Sequence, residues 1–165
     1  MAAARAPLFM NILEKGRDAV KVERSVEIAA PREKVWPFLT EPDRLLKWYT
    51  TLQKFEYTGG QQSGVGTPLY LEENAAGRLM KLKFVTTEWV ENERFIFKMT
   101  SGDFLKSYEQ RWTIEAIPSG SRFTYSEDIT LPYGVIGSVL GLFARFSSQA
   151  TLKKMLENLK TLVET

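Results

Sequence analysis

The sequence predicts an α+β domain: a seven-stranded, curved antiparallel sheet wrapped around a long C-terminal helix, with two short helices after strand one. Three observations point there. Seven segments carry strand-like alternation or composition and are divided by short turn signals. After Pro132-Tyr133-Gly134 the chain changes character and reads as helix to its end. A sheet with one apolar face and one long helix bury both surfaces if the sheet wraps the helix, and 165 residues suffice for one domain with a sizeable core.

The elements follow in order. Residues 1–19 lack alternation; Leu8, Phe9, Ile12 and Leu13 make one apolar side of a short helix that Gly16 would stop, so this stretch reads as an appendage to a domain at 20–165. In strand one Val20, Val22, Val26 and Ile28 alternate against Lys21, Glu23, Ser25 and Glu27. Ala29-Ala30-Pro31 ends it, and Pro31 suits a first helical turn because the N–H it lacks would be unpaired there. That helix is expected to reach about Thr40 and bury Val35, Trp36 and Leu39, with Pro37 and Pro42 keeping it short. A second short helix spans Asp43 to Trp48. Six strands follow, over Leu52–Thr58, Thr67–Glu73, Arg78–Trp89, Arg94–Thr100, Phe104–Ile117 and Arg122–Leu131. The separators, among them Gly59-Gly60, Ala76-Gly77 and Pro118-Ser119-Gly120, are short enough for neighbours to pair as a meander.

Composition removes several function classes. The chain has no Cys and no His, so thiol nucleophiles, imidazole bases, disulfides and the common nitrogen and sulfur metal ligands are absent. No metal and no cofactor are expected. The 22 Lys and Arg are scattered among 20 Asp and Glu without a basic stripe, so nucleic acid is not an expected partner. The longest apolar run, Leu131 to Ala144, carries Tyr133 and Ser138 and falls short of the roughly 20 residues a spanning helix needs. Ala2 to Ala6, followed by Pro7-Leu8-Phe9, is too short for the apolar stretch of a signal peptide. The expectation is a cytoplasmic protein.

Alternation also assigns an inner face: Met80, Leu82, Phe84 and Thr86; Phe95, Phe97 and Met99; Tyr108, Gln110, Trp112 and Ile114; Phe123, Tyr125, Glu127, Ile129 and Leu131. Lys81, Lys83, Lys98, Glu109, Arg111, Glu115 and Asp128 take the other, wet face. Any one inward aromatic serves equally as plain core. Gln110 and Glu127, however, sit in otherwise apolar sets, and a buried carboxylate without a partner is costly, so something polar must face them. Arg24 shares parity with Val22 and Val26, and an inward Arg24–Glu127 ion pair is one answer; a ligand's polar end is the other. The expected cavity lining is Arg24, Met80, Leu82, Phe84, Phe97, Met99, Tyr108, Gln110, Trp112, Tyr125 and Glu127, closed by Val139, Phe143 and Phe146 from the last helix. On that helix Val135, Val139, Leu142 and Phe146 cluster on one side, while Leu152, Leu156, Leu159 and Val163 cluster on a side rotated by roughly 120° at 100° per residue. A change of face near Ser147-Ser148-Gln149 is expected, and the glycine-containing first half is a candidate entrance gate.

The order of elements, with Ser25-Val26-Glu27-Ile28-Ala29-Ala30-Pro31-Arg32-Glu33-Lys34-Val35-Trp36, Leu39-Thr40-Glu41-Pro42, Gly64-Val65-Gly66-Thr67, Ile114-Glu115-Ala116-Ile117-Pro118 and the closing Leu156 to Glu164, resembles the START-like (SRPBCC) superfamily of helix-grip folds over residues 20 to 164. That superfamily includes pollen allergens, polyketide cyclases and dehydratases, and a branch of carbon monoxide dehydrogenase-associated proteins. The resemblance implies an internal cavity and leaves its use open. The leading reading is binding or transport of an apolar small molecule, such as a lipid, polyketide or quinone. A second is an enzyme similar to the aromatic polyketide cyclases, in which Tyr108, Tyr125 and Glu127 act as acid and base with Arg24 as oxyanion partner. A third is an interaction module similar to the chaperone ATPase activators, whose aromatic pair Trp48-Tyr49 resembles. Transient membrane contact through Val135 to Phe146, with Phe9 and Leu8, is a further expectation.

Overall fold

The computed structural model describes residues 19–75, 77–132 and 149–165. Its elements are β1 (Ala19–Ile28), α1 (Arg32–Thr40), α2 (Pro42–Trp48), β2 (Leu52–Tyr57), β3 (Pro68–Ala75), β4 (Arg78–Val90), β5 (Arg94–Gly102), β6 (Ser107–Ile117), β7 (Gly120–Thr130) and α3 (Gln149–Glu164). The seven strands form one antiparallel sheet in the order β1-β7-β6-β5-β4-β3-β2, as the helix-grip expectation requires. The appendage at 1–18, the helical positions Val139, Phe143 and Phe146, the membrane-facing stretch Val135 to Phe146 and the change of face before Gln149 all lie outside the described residues.

Period-two alternation holds along β4, β6 and β7. Met80, Leu82, Phe84 and Thr86 are buried, as are Tyr108, Gln110, Trp112 and Ile114, and then Phe123, Tyr125, Glu127 and Ile129. Register carries this into rows that cross the strands: Thr86 pairs with Phe97, Phe97 with Gln110, Gln110 with Glu127, and Glu127 with Val22. Two register irregularities in the β4–β5 ladder, at Lys83/Phe84 and Thr86/Glu88, bend the sheet where a flat ladder could not close. Gly102 stands inside that bend. A Cβ there would come within 2.5 Å of Leu82 Cδ2 and 2.7 Å of Met99 Sδ. The sixth strand begins at Ser107, later than expected, because Phe104 takes φ +62° and turns its ring outward, 55% exposed, over the Arg78 guanidinium.

α3 buries Leu152, Met155, Leu156, Leu159 and Val163 at helical spacing. Its C-terminal end is clamped to the corner after β1. Glu164 Oε1 accepts the Ala29 N–H at 2.7 Å, which holds this carboxyl below its ordinary pKa, and the Lys160 ammonium donates to the Glu27 carbonyl at 2.6 Å. The β6–β7 turn closes on the same corner: the Ser121 hydroxyl donates to the Ala30 carbonyl at 2.6 Å, and Gly120 sits at φ +137° with its α-carbon against the chain. Among the described residues no helix is long and apolar enough to cross a membrane.

A Cβ at Gly120 would lie 2.3 Å from the Ile28 carbonyl oxygen and 2.7 Å from the Ala30 nitrogen, both backbone atoms, in a conformation that side-chain-bearing residues avoid. Gly120→Ala is therefore expected to lower the unfolding free energy by about 2 kcal/mol or more. Urea denaturation measures it, and a change within about 0.5 kcal/mol would mean that this corner is not the tight junction described.

Candidate functional site

The inner face divides into two regions of different chemistry. Toward the α1–α2 end it is an aromatic cluster centred on Trp112, whose ring packs edge-on against Phe95 and Phe97 at 5.6 and 5.1 Å between centroids, and against Trp48 at 5.9 Å. Contacts of this geometry add to the area buried. Trp48 also donates its indole N–H to the Phe38 carbonyl at 2.8 Å. Trp48 and Tyr49 are both buried, so the aromatic pair is spent inside the domain and offers nothing to a partner's surface.

Beside this cluster lies a buried polar one. Tyr49, set at the end of α2, places its hydroxyl 2.9 Å from Glu73 Oε1 and 2.8 Å from the Tyr125 hydroxyl. Tyr125 and Tyr108 each reach Glu127 Oε2 at 2.8 Å, and Tyr108 also lies 3.4 Å from Glu73 Oε2. The Gln110 amide donates to the Tyr49 and Tyr108 oxygens at 3.0 and 2.6 Å, and the Thr51 hydroxyl stands 3.3 Å from Glu73 Oε1. Tyr49, Glu73, Tyr108, Gln110 and Tyr125 are at most 2% exposed, and Glu127 is 4% exposed. The cluster borders a pocket of about 10 Å³ under Leu152 and Met155 of α3, room for about one water molecule. Among the described residues, Gln110 Oε1, Trp112 Nε1 and Thr86 Oγ1 on this same face are buried without a hydrogen-bond partner.

Burial pushes the Glu73 carboxyl up to about 8, and the negative charge of Glu127 pushes it in the same direction, against the hydrogen bonds from its hydroxyl neighbours. Tyr49, Tyr108 and Tyr125 are raised well above the ordinary phenol range, first by burial and then by the neighbouring carboxyls. At neutral pH these shifts keep all three phenols protonated and favour the protonated form of Glu73.

Of the residues read from the sequence, Tyr108, Gln110, Tyr125 and Glu127 come together here. Trp112 and Phe97 belong to the aromatic cluster. Met80, Leu82 and Phe84 line the apolar wall of β4, with Met99 partly buried beside them. Arg24 is placed differently from the expectation. Register sets it opposite Tyr125, with Val22 opposite Glu127, and its guanidinium donates to Gln149 Oε1 at 3.0 Å. On this edge strand the long side chain reaches the rim where α3 begins, so the expected Arg24–Glu127 ion pair is replaced by an Arg24–Gln149 bond. Glu73 and Tyr49 complete the cluster, and neither is among the site residues expected from the sequence. Inward parity with Leu69 and Leu71 would have marked Glu73; Tyr49, in an irregular turn, has no such signal.

Because Glu73 binds its proton more tightly in the folded chain than at its ordinary 4.5, the folded state holds the extra proton between that value and about 8. Stability is thus expected to fall as pH rises through this window, by up to about 1.4 kcal/mol per pH unit from this group. Denaturation at pH 5.5 and 7.5 should show wild type losing ground to Glu73→Gln at the higher pH. Parallel behaviour of the two would contradict the assignment.

Comparison with known proteins agrees with this architecture. A START superfamily protein from Mycobacterium smegmatis superposes with a TM-score of 0.68 at 19% identity, covering 87% of this chain and 97% of its own. The Zhui aromatase/cyclase from Streptomyces sp. R1128 superposes with a TM-score of 0.66 at 18% identity, covering 88% and 94%. A curated relative, an uncharacterized protein of Mycobacterium tuberculosis (strain ATCC 25618 / H37Rv), is 25% identical over 102 residues, 62% of this chain, and the match spans 60% of the relative's length. The family model described as polyketide cyclase / dehydrase and lipid transport matches residues 19–164. With that match over nearly all of the described sheet and helix, the chain belongs to the polyketide cyclase / dehydrase and lipid transport family and carries its START-like fold.

Proposed function

We propose that this protein binds an apolar small molecule, a lipid, polyketide, quinone or similar compound, with its polar end against the Glu73–Tyr49–Tyr125–Glu127 cluster. The observation that carries this reading is the cluster itself. Two carboxyls, three phenols and an amide buried on the concave face of an otherwise apolar sheet cost stability that a packed hydrocarbon core would not. Such a concentration is the usual way a mostly apolar pocket orients one end of its ligand. The pocket beneath Leu152 and Met155 accepts about one oxygen-sized group. The Met80, Leu82, Phe84 and Met99 wall is the apolar surface proposed for the ligand's body.

The cluster also favours a second reading, an enzyme of the cyclase or dehydratase type. A carboxyl pushed to about 8 beside a second carboxyl is an acid poised near neutral pH, as general acid–base catalysis requires. The presence of an aromatase/cyclase among the structural neighbours supports this direction for the family.

A thermal-shift panel of a long-chain alcohol, a methyl ketone, a naphthoquinone and a fatty acid tests the binding reading. The uncharged members are expected to raise Tm by several degrees at saturating concentration, and the fatty acid less, because its carboxylate would meet two carboxyls. Met155→Trp, which fills the pocket, should abolish the shifts. Binding unaffected by Met155→Trp, or no shift from any uncharged member, would contradict the proposal.

A further inference from the structure

The cluster's geometry contains a proton count. Eight contacts link its oxygens and the Gln110 nitrogen: three from Tyr49, to Glu73, Tyr125 and Gln110; three from Tyr108, to Glu73, Glu127 and Gln110; Tyr125 to Glu127; and Thr51 to Glu73. Every hydrogen bond consumes one proton, and a phenol supplies only one. With both carboxyls ionised, three phenols, one threonine hydroxyl and two amide N–H groups supply six. Two of the eight contacts would then be oxygen against oxygen with nothing between them.

One added proton on Glu73 Oε1 resolves every short contact. Glu73 then donates to Tyr49, Tyr49 to Tyr125, and Tyr125 to Glu127, while Tyr108 donates to Glu127 and Gln110 supplies the remaining lone pairs of Tyr49 and Tyr108. The single contact left without a proton is the longest, Tyr108 to Glu73 at 3.4 Å. We propose that Glu73 and Glu127 hold one proton between them across a hydrogen-bonded chain through Tyr49 and Tyr125, forming a coupled acid–base pair for a ligand with an uncharged carbonyl or hydroxyl oxygen. The upward displacement of Glu73 by burial and by Glu127 agrees independently, and the unpartnered Gln110 Oε1 within the same amide is a buried acceptor for a ligand's O–H.

The chain also resets itself. If Glu73 gives its proton to a ligand oxygen and Glu127 takes one from the ligand, then Glu127 becomes the acid and Glu73 the carboxylate. The Tyr49 and Tyr125 hydroxyls then turn toward the new Glu73 carboxylate, so that the chain points from Glu127 to Glu73; protons pass from Glu127 to Tyr125, Tyr125 to Tyr49 and Tyr49 to Glu73, and the starting state returns with no net proton gained. Among the described residues, the groups facing the pair include Tyr49 and Thr51 from the segment between α2 and β2, Tyr108 and Gln110 from β6, Tyr125 from β7, and the apolar Leu152 and Met155 from α3. The relay's use in catalysis rests on the binding reading above; the relay itself does not.

The test is therefore made without ligand, on the full chain labelled with 13C-carboxyl glutamate and titrated by NMR, with Glu73→Gln and Glu127→Gln assigning the signals. In wild type the pair is expected to hold one proton at pH 7, with Glu73 titrating near 8. Tyr125→Phe removes a donor from Glu127 and turns the Tyr49 proton back onto Glu73, so it should lower the Glu73 midpoint by one pH unit or more although Tyr125 does not touch Glu73. Two ionised carboxyls in wild type at pH 7, or a Glu73 midpoint indifferent to Tyr125→Phe, would overturn the proposal. The wild-type titration decides the shared proton even if a variant fails to fold, and a failed ligand panel would leave its result standing.

Discussion

One phenol oxygen, that of Tyr108, stands within 3.4 Å of Glu73 on β3 and 2.8 Å of Glu127 on β7. In the strand order those two strands are separated by β4, β5 and β6. At about 4.8 Å per strand, a flat sheet would hold the β3 and β7 backbones about 19 Å apart with their side chains parallel. That both carboxyls meet one atom is therefore a statement about curvature. The register irregularities of β4–β5, the missing side chain at Gly102 and the clamp of α3 on the β1 corner all serve to close the sheet far enough for this meeting.

The closed sheet sorts its contents by chemistry. Aromatic rings around Trp112 fill the end nearest α1 and α2, where Trp48 and Phe123 complete the packing. Polar groups gather where the N-terminal part of α3 crosses the inner face. The first region explains why the domain folds. The second makes folding harder, since each buried carboxyl opposes burial and the two oppose one another. Natural chains keep such arrangements where function requires them.

Much of this was legible in the sequence. The alternation of β4, β6 and β7 placed Tyr108, Gln110, Tyr125 and Glu127 on one face, because period two on a half-buried strand leaves little choice. The buried spacing Leu152, Leu156, Leu159 and Val163 was equally plain. Glu73 was hidden beside Glu72, since two adjacent carboxylates read as solvated and only parity with Leu69 and Leu71 separates them. Tyr49 lies past the end of a helix, where no period applies. Arg24 shows the limit of parity: it identifies a side chain's face, but the register that decides its partner along the strand is a tertiary property.

A polar cluster kept for a ligand is kept at the expense of the fold. Its most direct measure is the unfolding free energy of Glu73→Met at pH 8, where the wild-type carboxyl is half ionised and most of its cost has developed. An apolar side chain of similar length should leave the domain as stable as wild type or more so. A loss of about 3 kcal/mol or more, of the order seen when one partner of a buried structural pair is removed, would show instead that the cluster holds the sheet closed and is there for the fold.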